Sequence, residues 1–218
     1  MGRESRKRLH IGSLAMISFN IIPVGSYCVN CVVVSLDGRC IVVDPGQDAD
    51  AIKGVIGKHG LKPIAAVLTH GHFDHIGGVP GLLAAYPGLP VYAHPSDWPM
   101  LGHPMNQMPP DYPSVPRPDG LRDVREIAGD FAEFGIRVLE TPGHTPGSVC
   151  LLMGDHLLSG DTLFAGSCGR TDFPGGSMAS MRRSLASLAR LPPKTQVIPG
   201  HGPSTTIGQE VSSNPFMA

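Results

Sequence analysis

Apolar positions in the first part of the chain fall in short runs separated by turns. Residues 16–23, 27–36 ("YCVNCVVVSL") and 39–43 ("RCIVV") read as three strands of a meander, joined by Gly-containing turns such as "DGR". The pattern then changes to a helical one. In "GQDADAIKGVIGKHG", Ile52, Val55 and Ile56 form one stripe, Asp48 or Asp50 supplies an N-cap, and Gly60 a stop. "PIAAVLTH" follows as an apolar strand, "GGVPGLLAAYP" as a short helix and "PVYAHP" as another strand. Prolines at 95, 99, 104, 109, 110, 113, 116 and 118 then break the rhythm, predicting a long loop over residues 95–120.

A second run of strands is expected in "EIAGDFAEFGIRVLETPG", "GSVCLLMGD" and "HLLSGDTLF". Residues 177–191 give the clearest helix, capped by Ser177, with Met178, Met181, Leu185, Leu188 and Leu191 on its apolar stripe and Pro192 and Pro193 at its end. "TQVIPG" is a last strand, and the segment after His201 reads as a polar tail. The order predicts an α/β fold, two mixed sheets packed face to face with helices on the outer faces, an αββα sandwich.

Composition narrows the classes. With 218 residues, 41% of them hydrophobic, the chain suits one core, expected over residues 16–218 behind a basic, disordered tail at 1–15. That tail, "MGRESRKRLH", precedes an apolar stretch without a small-residue cleavage site, so a solvated tail is expected instead of a signal peptide, with Met16 an alternative start. No apolar run is long enough to span a membrane. A net charge of −1 gives no drive toward nucleic acid or an anionic surface. Five cysteines, an odd number without a framework, favour a reducing, cytoplasmic setting. Cys28 and Cys31 form a CxxC within a predicted strand, where they face opposite ways. They are expected to be buried small hydrophobes and not a redox or zinc pair.

The chemistry concentrates in "THGHFDHIGG". His70, His72, Asp74 and His75 stand at i, i+2, i+4 and i+5, a spacing that a turn leaving a strand can converge and a single helix face cannot. Three more segments place a His or Asp after a strand beside Gly or Pro: "TPGHTPGS" with His144, "SGDTLF" with Asp161 and "PGHGPS" with His201. Five imidazoles and two carboxylates exceed one tetrahedral ion and suit two ions sharing a carboxylate. Without a thiolate, the set fits Zn, Fe or Mn.

HxHxDH followed by a single His, Asp and His resembles the metallo-β-lactamase fold superfamily, and within it the short, single-domain glyoxalase II (hydroxyacylglutathione hydrolase) branch. "PVGSYCVNC", "IVVDPG", "SGDTLFAGSCGRTD" and "IPGHGP" carry the likeness across nearly the whole chain from about residue 16. The resemblance implies that His70, His72 and His144 hold one divalent ion, and Asp74, His75 and His201 the other, with Asp161 bridging. It further implies that Asp44 lies beneath the ligand loops and orients their imidazoles, with a simple turn role before Pro45 as the alternative. A metal-bridging hydroxide would attack a thioester carbonyl, and Asp74 would accept a hydrogen bond from that nucleophile. Asp161 stands where true β-lactamases often carry Cys or Ser, which disfavours lactam hydrolysis.

Some positions depart from the branch. Arg170 stands at a cationic position and Asp172 where a glutathione-contacting Tyr is usual. Arg170 would clamp a substrate carboxylate or pair with Asp172. The persulfide dioxygenase of the same superfamily shares "CGRTDF" and would use a single iron on His70, His144 and Asp161, but "PGHGP" favours the two-ion hydrolase. A non-enzymatic or nucleic-acid-processing relative is less favoured, since no ligand is missing and no basic stripe is visible. The 95–120 loop, with Met105, Met108 and Tyr112, is expected to shape a pocket for a small-molecule thioester.

Overall fold

A computed structural model describes residues 17–106 and 115–217; Met108 and Tyr112 lie outside the described residues, as does the side chain of Met105. The first sheet has six strands: β1 (Ser18–Val24), β2 (Val29–Leu36), β3 (Arg39–Val43), then, after helix α1 (Ala49–Lys58), β4 (Lys62–Val67). Helices α2 (Phe73–Ile76) and α3 (Val79–Ala85) precede β5 (Val91–Ala93), and β6 (Arg122–Asp123) completes the sheet in sequential order. β1, β2 and β3 pair antiparallel, whereas β3 to β6 run parallel. That change reflects the connections: tight turns join the meander, and longer crossovers are needed wherever strands are parallel.

The second sheet comes after helix α4 (Ile127–Asp130) and contains β7 (Ile136–Glu140), β8 (Val149–Met153) and β9 (His156–Gly160). A small hairpin of β10 (Leu163–Phe164) and β11 (Ser167–Cys168) leads to helix α5 (Met178–Leu188). β12 (Gln196–Pro199) then enters parallel to β9, with β13 (Thr205–Thr206) at the edge and helix α6 (Ile207–Ser213) last.

Strand alternation sorts the apolar residues into three layers. Along β2, Cys31 and Val33 turn toward α1 and α3, while Val32 and Val34 turn toward the other sheet. Along β8, Cys150 and Leu152 meet Met181, Leu185 and Leu188 of α5, while Val149, Leu151 and Met153 face inward. The result is the αββα sandwich, with its central layer between the sheets. Among the described residues, no helix is long and apolar enough to cross a membrane.

Three expectations fail locally. Residues 124–134 are short helical turns and not strand, because Val124, Ile127 and Phe134 bury against the central layer with no period of two. The segment after His201 is not a free tail: α6 packs Ile207 on the α5 layer and buries Glu210. Cys28 belongs to the turn ahead of β2, at φ 52°, and is exposed; Cys31 alone of the pair is a buried hydrophobe.

Candidate metal centre

The functional side chains gather at strand ends of both sheets. The chain leaves β4 through Thr69, and Val149 N donates to Thr69 O at 2.8 Å, tying the two sheets together at this point. His70 and His72 come next, and α2 turns Asp74 and His75 inward. From the second sheet come His144 between β7 and β8, Asp161 directly after β9, and His201 just after β12. Tight backbone contact makes this possible. A Cβ on Gly200 would lie 2.2 Å from Asp161 Oδ1, and Gly160, at φ 48°, lies where a Cβ would strike Thr69 Oγ1 at 2.3 Å.

All seven predicted residues converge. The ligand atoms of His70, His72 and His144 lie within 4.8 Å of one another, as do those of Asp74, His75 and His201, and those of His70, His75 and Asp161. Asp161 stands between the two triads, with Oδ2 at 3.5 Å from His144 Nε2 and 3.6 Å from His201 Nε2, and Oδ1 at 3.4 Å from His75 Nε2. Asp74 Oδ2 is 3.4 Å from His201 Nε2.

The far nitrogens of three imidazoles are hydrogen-bonded from behind, and that of a fourth faces a carboxylate. His144 Nδ1 donates to the carbonyl of Arg170 at 2.7 Å and His201 Nδ1 to that of Tyr27 at 3.0 Å. Thr69 Oγ1 donates to Asp44 Oδ2 at 2.7 Å, so its remaining role toward His70 Nδ1, 3.2 Å away, is as acceptor. His75 Nδ1 lies 3.0 Å from Asp44 Oδ2, an ion-pair contact too bent for a hydrogen bond. Each Nε2 faces the centre. His144 Nε2 is only 2.7 Å from His72 Nδ1, and His70 Nε2 is buried with no partner. Lone pairs brought this close repel unless a proton or a cation lies between them, so this donor set fits divalent ions.

The electrostatics divide the site. Burial, then the neighbouring imidazoles, holds His70 well below its ordinary pKa, and burial with His144 brings His72 down to about 3. Burial also disfavours charge on His75 and His201, but carboxylates outweigh it and raise both: Asp161, Asp44 and Asp74 for His75, Asp74 and Asp161 for His201. Asp74 and Asp161 are lowered by the same imidazoles against their own burial.

Asp44 lies beneath the loops. At φ 49° it accepts from Thr69 N and Thr69 Oγ1, both at 2.7 Å, while touching His75. Arg170 lines the cleft, but its guanidinium is held by Asp172 through two 2.7 Å bonds and lies 3.9 Å over the Phe173 ring.

Sequence reasoning missed Asp97. Its buried carboxylate accepts from Gly71 N at 2.9 Å, Thr145 Oγ1 at 2.7 Å and Gly147 N at 2.7 Å, joining the His70–His72 loop to the His144 loop. Burial raises its pKa. The available signal was position: Asp97 comes after the end of β5 much as His70 comes after the end of β4. Above the centre opens a cleft of about 680 Å³, walled in part by Tyr27, Phe73, Phe164 and Phe173.

Residues 27–201 match the model of the metallo-beta-lactamase superfamily. An uncharacterized protein of Aquifex aeolicus is 40% identical over 90% of this chain and 95% of its own length. A probable metallo-hydrolase of Bacillus subtilis is 35% identical over 90% and 95%. A hydroxyacylglutathione hydrolase of Alkalilimnicola ehrlichii is 38% identical over 83% of this chain but 64% of its own. Among solved structures, TTHA1623 in a di-iron-bound form superposes with a TM-score of 0.82 at 38% identity, covering 90% of this chain and 99% of that one. The B3 metallo-beta-lactamase BLEG-1 gives 0.81 at 34%, covering 92% and 99%. ETHE1 from Myxococcus xanthus gives 0.69 at 25%, covering 91% and 83%. With its cluster of five His and two Asp at the sheet ends, this chain belongs to the metallo-beta-lactamase superfamily.

Proposed function

We propose that the protein is a two-metal hydrolase of thioesters, glyoxalase II-like, acting on S-acylglutathione or a related small molecule. The observation that carries it is the pair of triads with Asp161 between them, their candidate ligand atoms converging on one centre. His70, His72 and His144 would hold one ion, Asp74, His75 and His201 the other, and Asp161 would touch both. Divalent ions in such a pair supply a water of lowered pKa as nucleophile and polarise the carbonyl oxygen.

The chain's own groups do the rest. Asp74 and Asp161 stay ionised, and Asp74, beside His201 at the cleft, is placed to accept the nucleophile's proton. The carbonyls of Arg170 and Tyr27 keep protons on the outer nitrogens of His144 and His201, so the inner nitrogens stay free for binding. A thiolate is a good leaving group, and no strong acid is needed beside it.

The likeness to a hydroxyacylglutathione hydrolase supports the thioester, and the di-iron neighbour supports two ions without fixing their identity. Against the single-iron dioxygenase stands the second triad. His201 Nε2 lies 3.3 Å from His75 Nε2 and 3.4 Å from Asp74 Oδ2, a second set of donors beside the three residues a single iron would take. Hydrolysis of S-D-lactoylglutathione by metal-loaded protein, with a β-lactam and glutathione persulfide as counter-substrates, tests the reading. Thioester turnover well above both supports it; turnover of the lactam or oxygen uptake on the persulfide alone would refute it.

A further inference from the structure

A second pocket of about 250 Å³ opens beside the metal cleft and shares His72, Phe73 and Phe173 with it. Its remaining lining comes from the proline-rich segment after β5, Pro99, Met100, His103 and Asn106, and from Pro174. This wall is fastened to the ligand loop. Asn106 Nδ2 donates to Gly71 O at 2.7 Å, and Asp97 Oδ2 accepts from Gly71 N at 2.9 Å. Met100 sits so close to Gly71 that a Cβ there would lie 2.8 Å from Met100 Cγ and Sδ. The wall is thus held in register with His70 and His72.

We propose that this annex binds the acyl chain of the substrate and selects straight apolar acyl groups of several carbons, with Met100 setting the reach. The proposal rests on the thioester reading and deepens it. A scissile carbonyl at the metal centre sends its two substituents to different parts of the cleft. On one side stands Arg170, with Ser167 nearby, suited to a polar thiol carrier. On the other stands the annex, where the Asn106 amide is already engaged with Gly71 and the surfaces of Phe73, Pro99, Met100, Phe173 and Pro174 are apolar. A charged carrier would be desolvated there with few partners, whereas an acyl chain gains by leaving water. The volume suffices: an apolar cavity of roughly 150 Å³ already holds benzene.

Two arms test the proposal on the metal-loaded full chain. The first titrates straight-chain carboxylates from acetate to octanoate, the product acids, into wild type, Met100→Trp and Met100→Phe, folding being checked by circular dichroism. The dissociation constant is expected to fall about fourfold per methylene over the first few carbons, and the bulkier variants to flatten that series. A flat series in wild type, or an unaltered slope in a folded variant, overturns the proposal. The second arm compares kcat/KM for acetyl, butanoyl and hexanoyl thioesters of glutathione. A rise with chain length that Met100→Trp abolishes supports the annex. Turnover that ignores chain length overturns it. A carboxylate slope that survives without turnover of any thioester would refute the hydrolase reading and leave the annex standing.

Discussion

The floor and the wall of the cleft are built on opposite terms. On the floor, seven His and Asp side chains converge from both sheets, and several are braced from behind by Asp44, Thr69 and the carbonyls of Tyr27 and Arg170. On the wall, mostly apolar residues with His103, Asn106 and the exposed Arg170–Asp172 pair line the cleft and its annex. A buried polar centre has to be over-determined, because an unpartnered charge inside a protein is costly. A wall needs only shape. In the proposed reading, the floor sets the reaction class and the wall leaves the substrate to be chosen by small changes.

Removing floor groups should have the largest effects. Asp161→Ala deletes the carboxylate between the triads and is expected to lower kcat on the order of 10²–10³-fold, the scale of losing one electrostatic stabiliser of the transition state, with metal content falling in the same preparation. Unchanged turnover would show that Asp161 is not shared. Asp44→Ala comes next. It frees Thr69 N, Thr69 Oγ1 and His75 Nδ1 at once and places Ala at positive φ. Metal affinity should fall about 10–100-fold and stability by about 3 kcal/mol, as read by chelator competition and by denaturation of the metal-free protein. Asp97→Ala breaks three buried bonds between the two ligand loops and should cost about 2–3 kcal/mol. If melting is unaltered, the brace is idle.

Acid should divide the floor itself. His70 and His72 stay unprotonated well below their ordinary pKa, whereas His75 and His201 are raised and take protons at higher pH. Since bound ions need neutral imidazoles, an ion held by His75 and His201 should leave before one held by His70 and His72 as pH falls. Metal content after dialysis at successive pH values should fall in two steps, and simultaneous loss would contradict the division. The wall gives the smallest effect: Arg170→Ala removes a solvent-exposed pair and should leave the melting temperature unchanged.

The same contrast decides what could be read from the sequence. HxHxDH, His144, Asp161 and His201 were legible because each is a polar residue placed beside Gly or Pro at a strand exit. The sandwich was legible from the order of elements, a meander, then alternating helix and strand, then a second run of strands and a helix, whereas the layer each residue of the apolar β2 and β8 enters was not. Asp97 was hidden, since one carboxylate in a proline-rich segment looks like a turn residue until Gly71, Thr145 and Gly147 are brought to it. α6 was hidden because what it buries includes a Glu: Glu210 accepts from Gly166 N, Thr205 Oγ1 and Asn214 Nδ2, and the first of these lies far away in the chain. The single turns of residues 124–134 are too short to show any period. The pocket wall was legible only as a segment: the 95–120 run of prolines and methionines pointed to it, but the residues named there, Met105, Met108 and Tyr112, are not the ones seen lining it, and Pro99 and Met100 acquire their role through packing beside Gly71.

The most direct test of the two-triad centre is metal stoichiometry, measured on wild type and His201→Ala purified side by side. About two ions per chain are expected in wild type and about one in the variant, with the ion on His70, His72 and His144 retained. One ion per chain in both proteins would contradict the two-triad centre and leave Asp74, His75 and His201 without a metal to hold.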